Sequence, residues 1–154
     1  MHGFLLGVFG KLPAPLRRRI VAFVAPSFTV GAICVIEHDD RIVMIRQRYR
    51  NRWGLPGGLL ARGEEPADAA RREVREEIGI DVELLGDPFV VVEPGVRRVD
   101  LIYRARPLGS VEGVRPTSPE ILAAEWFGLD ELPDLQPETL TALAVLGRRH
   151  APDR

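Results

Sequence analysis

The chain has 154 residues, of which 45% are hydrophobic, so it is long and apolar enough to form one domain with a substantial core. Its 21 basic and 22 acidic residues give a net charge of −1, which excludes the strong overall positive field that draws a protein to nucleic acid. A single cysteine excludes an internal disulfide framework and favours a cytoplasmic location.

The first 25 residues form an apolar and basic extension. Large apolar residues between Phe4 and Phe9 come first, and Arg17-Arg18-Arg19 then precedes an apolar run that predicts a short helix. The apolar patch is too short to span a bilayer and lacks the basic start of a secretory signal. We expect the extension to pack on the domain or on a second copy in a homodimer, with docking on a membrane surface or partner as the alternative.

Strands and helices alternate along the remainder of the chain. Runs rich in β-branched and aromatic residues, separated by turn signals, predict the strands. In chain order they are 28–37, 41–47, 59–61, 80–85, 89–93, 97–105 and 125–127. Helices are predicted at 66–78 and 137–149, each beginning at a proline. This order of elements indicates an α/β domain.

Three glutamates lie close together on the first of these helices, between Pro66 and Gly79. Because residues three and four apart are neighbours on a helix, Glu73 faces Glu76 and Glu77, and the like charges repel. The negative end of the helix dipole adds to this repulsion. One interpretation is a solvated, highly charged helix, and the other is a site for a divalent cation with oxygen ligands.

The residues around this helix extend the pattern. The glycine-rich run 54–58 predicts a loop that lets the backbone approach a ligand closely. From its last glycine onward the specified positions are Gly58, Glu64, Arg72, Glu73, Val74, Glu76, Glu77, Gly79 and Ile80. All nine match the Nudix box, so this stretch resembles the Nudix hydrolases, and a chance match is on the order of one in a million or rarer.

The resemblance implies a Nudix-type α/β/α sandwich around a mixed β-sheet, with the Nudix hydrolase domain at residues 26–154. The N-terminal helical extension at residues 1–25 departs from a minimal domain of this family. It also implies a phosphoanhydride hydrolase that uses Mg²⁺ or Mn²⁺. The implied metal ligands are Gly58, through its carbonyl, and the side chains of Glu73, Glu76 and Glu77.

The same resemblance implies roles in catalysis. Arg72 is expected to pair with Glu64 and so fix the shape of the loop before the helix. The general base is a box glutamate, Glu76 or Glu77, or an acid on a later loop, for which Glu120 is the candidate. Glu120 is equally well explained as a surface acid.

Substrate recognition is less specified. Arg48 and Arg50 alternate with aromatic residues on the approach to the glycine-rich loop, where they and Trp53 could bind phosphate and base, although ordinary alternation on an edge strand also explains them. Arg98 is a further candidate on a later strand. Pro94 lies fifteen residues past Gly79, close to the place of a proline in family members that cleave ADP-ribose. A small-molecule nucleotide of the ADP-ribose type is therefore slightly preferred over a nucleoside triphosphate. The alternative function is a catalytically silent Nudix-fold module that binds a nucleotide or a partner.

Overall fold

The computed structural model describes residues 12–25 and 27–147. The apolar patch between residues 4 and 9, and the last two residues of the helix predicted at 137–149, lie outside the described residues. Three α-helices are present in the described part of the chain, and they are α1 (Ala14–Val24), α2 (Pro66–Ile78) and α3 (Pro137–Gly147).

Seven strands form one mixed sheet. They are β1 (Thr29–His38), β2 (Arg41–Gln47), β3 (Trp53–Gly54), β4 (Gly57–Leu59), β5 (Asp81–Glu93), β6 (Arg98–Leu108) and β7 (Ile121–Gly128). The main path runs β3-β2-β1-β6-β5, while β4 pairs with β1 and β7 pairs with β2. Only β1 and β6 are parallel among these pairs. The central strand β1 therefore pairs both with the glycine-rich β4 and, in parallel, with β6.

Helices cover both faces of the sheet. Ala70, Val74 and Ile78 recur every four residues on α2 and are fully buried in one apolar cluster with β1 and β6 residues. Ala142 of α3 belongs to a second cluster, with Val35 and others. The predicted α/β/α sandwich around a mixed sheet is thus confirmed, and α2 is fixed to the sheet by its apolar stripe.

The boundaries of several elements differ from those predicted. The strands predicted at 80–85 and 89–93 are a single strand, β5, with a register shift between Leu85 and Phe89 and a positive φ of 69° at Gly86. A glycine there permits a bend without ending the strand. Strand β7 is longer than predicted because it pairs along most of β2. Strand β3 is only two residues long and was not predicted.

The N-terminal helix α1 was predicted and is present, but its side chains are not buried on the domain. Leu16, Ile20, Val21, Phe23 and Val24 are all exposed, Phe23 by 92%. Packing of this helix on its own domain is therefore not found in the described residues. None of the described helices is long and apolar enough to cross a membrane.

Candidate metal and nucleotide site

Helix α2 carries the acidic residues to the edge of the sheet. Its buried apolar stripe faces the core, and the glutamates at positions 73, 76 and 77 therefore lie over the glycine-rich β4. The helix ends at Gly79, which has a φ of 73° and donates its backbone N–H to the carbonyl of Arg75. A left-handed glycine is a common helix end, so the predicted stop is confirmed.

Glu77 is the most perturbed of the acids. The residue is only 8% exposed, and its Oε2 accepts a hydrogen bond of 2.9 Å from the backbone N–H of Gly57. The pKa of Glu77 is raised from 4.5 to about 8, chiefly by burial and in smaller part by the nearby charges of Glu73, Glu120 and Glu76, although the hydrogen bond from Gly57 lowers it. The charged form of this carboxylate is therefore unfavourable in free energy at neutral pH, and a bound cation would remove this free-energy cost.

Arg72 organises the remaining acids. Its Nε and Nη2 donate to the two oxygens of Glu64 at 2.7 and 2.9 Å, which is the bidentate pairing that the resemblance implies. Its Nη1 donates to Glu73 at 2.8 Å and to Glu76 at 3.1 Å. Hydrogen bonding to Arg72 lowers the pKa of Glu64 to about 2, so Glu64 is charged at any working pH.

The glycine at position 58 leaves room for the carboxylate of Glu73. A Cβ atom built on Gly58 would lie 2.5 Å from Cδ of Glu73 and would also collide with its oxygens. In β4, Gly58 pairs with Ala32 of β1, so the backbone there cannot move away easily. A larger residue at this position would displace Glu73.

A loop between β6 and β7 completes the acidic end of the site. The backbone N–H of Thr117 donates to the carbonyl of Glu77 at 3.0 Å, and its Oγ1 donates to the carbonyl of Glu76 at 2.8 Å. These bonds satisfy carbonyls at the end of α2 and anchor the loop there. Three residues later Glu120 reaches the same cleft as Glu73 and Glu77. Thr117 was not identified from the sequence, since its role depends on a contact between distant segments.

The acids open onto a cleft of about 390 Å³. Of the residues predicted to act in the site, six line it, and these are Gly58, Glu73, Glu77, Glu120, Arg50 and Arg98. The cleft also contains Tyr49, one of the aromatic residues on the approach to the glycine-rich loop. Residues that were not predicted also line it, from the β2 end and the start of α3, namely Gln47, Gln136, Glu138 and Thr139. No sequence motif marks them, because α3 reaches the cleft only through tertiary packing.

Carboxylates hold both arginines of the cleft in place. Nη1 of Arg50 donates to Oε1 of Gln136 at 3.0 Å and to Oε1 of Glu138 at 3.1 Å. Nε of Arg98 donates at 2.7 Å to Asp100, which is only 3% exposed. The carboxylate of Asp100 occupies the space that a side chain on Gly31 would take. Gly31 and Asp100 thus form a built-in support for Arg98.

Arg48, Trp53, Glu76 and Arg72 are not among the described residues that line the cleft. Arg48 donates from Nε to the carbonyl of Pro119 at 3.1 Å, next to Glu120. Trp53 packs edge-on against Phe127, with ring centroids 4.8 Å apart, in the core cluster on the α3 face. These positions account for both residues structurally, and their predicted roles in substrate binding stay predictions.

The donor set suits a hard divalent cation. Glu73, Glu77 and Glu120 line the cleft together, and the carboxylate of Glu77 is buried beside the like charges of Glu73, Glu120 and Glu76, which favours oxygen-ligated Mg²⁺ or Mn²⁺. Within residues 12–147 as described, no three acidic, histidine or cysteine side chains are already gathered as a metal cage. Glu73 and Glu76 are turned toward Arg72, so they would exchange this partner on binding a cation.

Comparisons with known proteins identify a family model and related sequences and structures. The family model described as NUDIX domain matches residues 26–146. A MutT-like protein of Streptomyces ambofaciens is 38% identical over 114 residues, which cover 73% of this chain and 70% of the relative. The 8-oxo-dGDP phosphatase NUDT18 of Homo sapiens is 33% identical over 131 residues, covering 80% of this chain and 38% of the human protein. The chain therefore spans well under half of that relative.

Two solved structures share the fold. A NUDIX hydrolase from Nitrosomonas europaea superposes with a TM-score of 0.71 at 26% identity, over 81% of this chain and 74% of the other. An ADP-ribose pyrophosphatase from Streptococcus suis superposes with a TM-score of 0.66 at 27% identity, over 81% of this chain and 94% of the other.

Proposed function

Because the chain belongs to the Nudix family of hydrolases, we propose that it cleaves the phosphoanhydride bridge of a nucleoside diphosphate joined to a second moiety. The products would be a nucleoside monophosphate and a second phosphate compound. One observation carries this proposal: the buried carboxylate of Glu77 lines, together with Glu73 and Glu120, a cleft that also contains Arg50 and Arg98.

Nudix hydrolases require a divalent metal, and we propose Mg²⁺ or Mn²⁺ here. Glu73, Glu76 and Glu77 would hold it, together with the carbonyl of Gly58. A cation bound by these oxygens would neutralise the diphosphate and polarise the phosphoryl group under attack. Arg72 acts on the ligands rather than on the substrate. Its guanidinium is held by Glu64 and donates to the carboxylates of Glu73 and Glu76, so it positions these two side chains.

Glu120 is the proposed general base. Its side chain is exposed and lines the same cleft, so its carboxylate can take a proton from a water that attacks phosphorus. The loop that carries it is fixed to α2 through Thr117, which sets its position relative to the metal ligands. Glu76 or Glu77 is the other candidate for this role.

The remainder of the cleft suits a nucleoside. Oε2 of Glu138 is buried and has no hydrogen-bond partner among the described residues, so it can accept from a ribose hydroxyl or a base N–H group. Arg50 and Arg98 supply positive charge for the phosphates. Arg48 and Trp53, just outside the cleft, would act at its rim.

An ADP-ribose-like substrate is our first choice. It is supported by the Pro94 turn, which lies close to the place of a proline in family members of that activity, and by the structural likeness to an ADP-ribose pyrophosphatase. An oxidised purine nucleoside diphosphate is the second candidate, because three relatives carry the name 8-oxo-dGDP phosphatase. A nucleoside triphosphate is next. We further propose a cytoplasmic enzyme that does not act on nucleic acid.

A substrate panel tests the proposal. The full-length protein is incubated with Mg²⁺ or Mn²⁺ and ADP-ribose, 8-oxo-dGDP or a nucleoside triphosphate, and the release of monophosphate is measured by chromatography. Glu77→Gln should abolish turnover with the fold intact by circular dichroism, whereas Glu112→Gln, an exposed acid outside the cleft, should not. A chain that binds a nucleotide tightly and turns none over would instead be the silent binding module.

A further inference from the structure

Helix α1 presents an apolar stripe that the described domain does not cover. Leu16, Ile20, Phe23 and Val24 follow each other at i, i+4, i+7 and i+8, which places them on one face of the helix. Their exposed fractions are 45, 37, 92 and 75%. Because burial of such residues is the main source of stability for a short helix, the stripe calls for a partner.

The charge of the same segment narrows the choice of partner. Residues 1–36 contain Lys11 and three arginines but no acidic residue. This segment therefore carries +4, and the remainder of the chain carries −5 to give the net charge of −1. The small net charge therefore results from a basic, apolar N-terminal segment and an acidic remainder of the chain. At about 100° per residue, Arg17 and Arg19 border the apolar stripe on its two sides and Arg18 lies opposite.

The body of the protein shows the same chemistry where α1 joins it. The backbone N–H of Thr29, five residues past the end of α1, donates to the carbonyl of Arg97 at 2.9 Å. The β5–β6 turn therefore lies beside the start of β1, and it exposes Val96 by 67% together with the side chain of Arg97. Apolar and basic groups are thus also exposed at the end of the sheet where β1 begins.

Two kinds of partner could cover the stripe. In a symmetric contact between two copies of α1, each helix would bring three arginines, and α1 has no acid to neutralise them. A bilayer with anionic lipids satisfies both features, because the acyl region takes the apolar stripe and the headgroups take the arginines. We propose that α1 docks this protein reversibly on an anionic phospholipid surface.

Vesicle co-sedimentation of the full-length protein tests this docking. The protein should pellet with vesicles of phosphatidylcholine containing about one-third phosphatidylglycerol and stay in the supernatant with phosphatidylcholine alone. Raising the salt from about 0.1 M to about 1 M should release it, since screening shortens the range of the attraction from about 10 Å to about 3 Å. Failure to pellet with the anionic vesicles at low salt would overturn the proposal.

Substitutions on α1 test which residues carry the binding. Neutralising the three arginines should weaken it about fivefold each, so about a hundredfold together. The variant for this is Arg17→Gln with Arg18→Gln and Arg19→Gln. Phe23→Ser with Val24→Ser should also abolish co-sedimentation, and it removes side chains that are exposed in the structure. Retained helix content and melting temperature show that the domain is still folded.

Matched controls use exposed residues elsewhere. Arg62→Gln with Arg115→Gln removes two exposed arginines, and Leu140→Ser removes a leucine that is 55% exposed. Both should bind anionic vesicles as the unaltered protein does, and equal losses in these controls would refute a specific role for α1. A dimer in sedimentation velocity that the Phe23→Ser and Val24→Ser variant converts to a monomer, without vesicle binding, would assign the stripe to a second copy and overturn the proposal.

Discussion

Replacing Glu77 by glutamine should stabilise the metal-free protein while removing its activity. Burial and neighbouring carboxylates raise the pKa of Glu77 from 4.5 to about 8. Between these values the folded protein holds a proton that the unfolded chain has lost. Stability is therefore highest below about pH 4.5 and falls as the pH rises through about 8. A glutamine keeps an oxygen for the N–H of Gly57 and carries no charge.

The magnitude follows from the two pKa values. A difference of one pKa unit is worth about 1.36 kcal/mol. By linkage, the raised pKa of Glu77 therefore lowers the free energy of unfolding, relative to low pH, by at most about 3 kcal/mol at pH 7 and about 5 kcal/mol at pH 9. Relaxation and water entry reduce these values in practice. We expect Glu77→Gln to gain on the order of 1 to 3 kcal/mol at pH 8.5 and less than about 1 kcal/mol at pH 5.

Urea unfolding in a metal chelator measures the effect. The free energy of unfolding is determined for both proteins from pH 5 to pH 9, and the gap between them should widen with pH. Adding Mg²⁺ should close the gap, because a ligand at a hundred times its Kd stabilises by about 2.7 kcal/mol and only the unaltered protein has the full ligand set. Parallel stability curves in the chelator would refute the assignment of Glu77 as a strained, buried carboxylate.

Three further substitutions test separate parts of the site. Gly58→Ala should lower kcat by about a hundredfold, which is a loss of roughly 2.7 kcal/mol of transition-state stabilisation, because the new Cβ displaces Glu73. Its control is Gly95→Ala, where the new Cβ meets open space. Equal rates for the two variants would contradict this role of Gly58. Asp100→Asn should raise KM about tenfold with kcat nearly unchanged, because Arg98 loses its ion-pair partner and with it part of its binding to the substrate ground state. Its control is Glu37→Gln, which breaks the ion pair with Arg104 and should alter neither KM nor kcat. Arg72→Lys should lower kcat about tenfold or more, because lysine cannot hold Glu64 with two parallel hydrogen bonds. Its control, Arg75→Lys on the same helix, should retain activity. A fully active Arg72→Lys variant would show that the Arg72–Glu64 pairing does not order the metal ligands.

The sequence predicted the central features of the site because they are local. Glu73 and Glu77 share a face through helical spacing alone, and the bounds of α2 follow from the properties of Pro66 and Gly79. The stripe at positions 70, 74 and 78 likewise predicted which face of α2 is buried. Patterns with a period of 3.6 residues need no knowledge of the remaining chain.

The features that were missed depend on contacts between distant segments. Thr117 caps α2 although it lies 42 residues from Arg75 and 41 residues from Glu76 along the chain. Glu138 enters the cleft only because α3 packs against β3 and β5. Two residues of β3 carry no periodic signal at all. The packing of Trp53 was likewise not predicted, since its ring lies edge-on against Phe127, a partner that only the β2–β7 pairing brings near.

The most direct test of the metal assignment is an anomalous difference map from crystals soaked in Mn²⁺. We expect a peak between the carboxylates of Glu73 and Glu77, within about 2.0 to 2.6 Å of their oxygens, with Glu73 released from Arg72. A map without a peak in the cleft, in which Glu73 still accepts from Arg72 and Glu77 still accepts only from Gly57, would contradict the account.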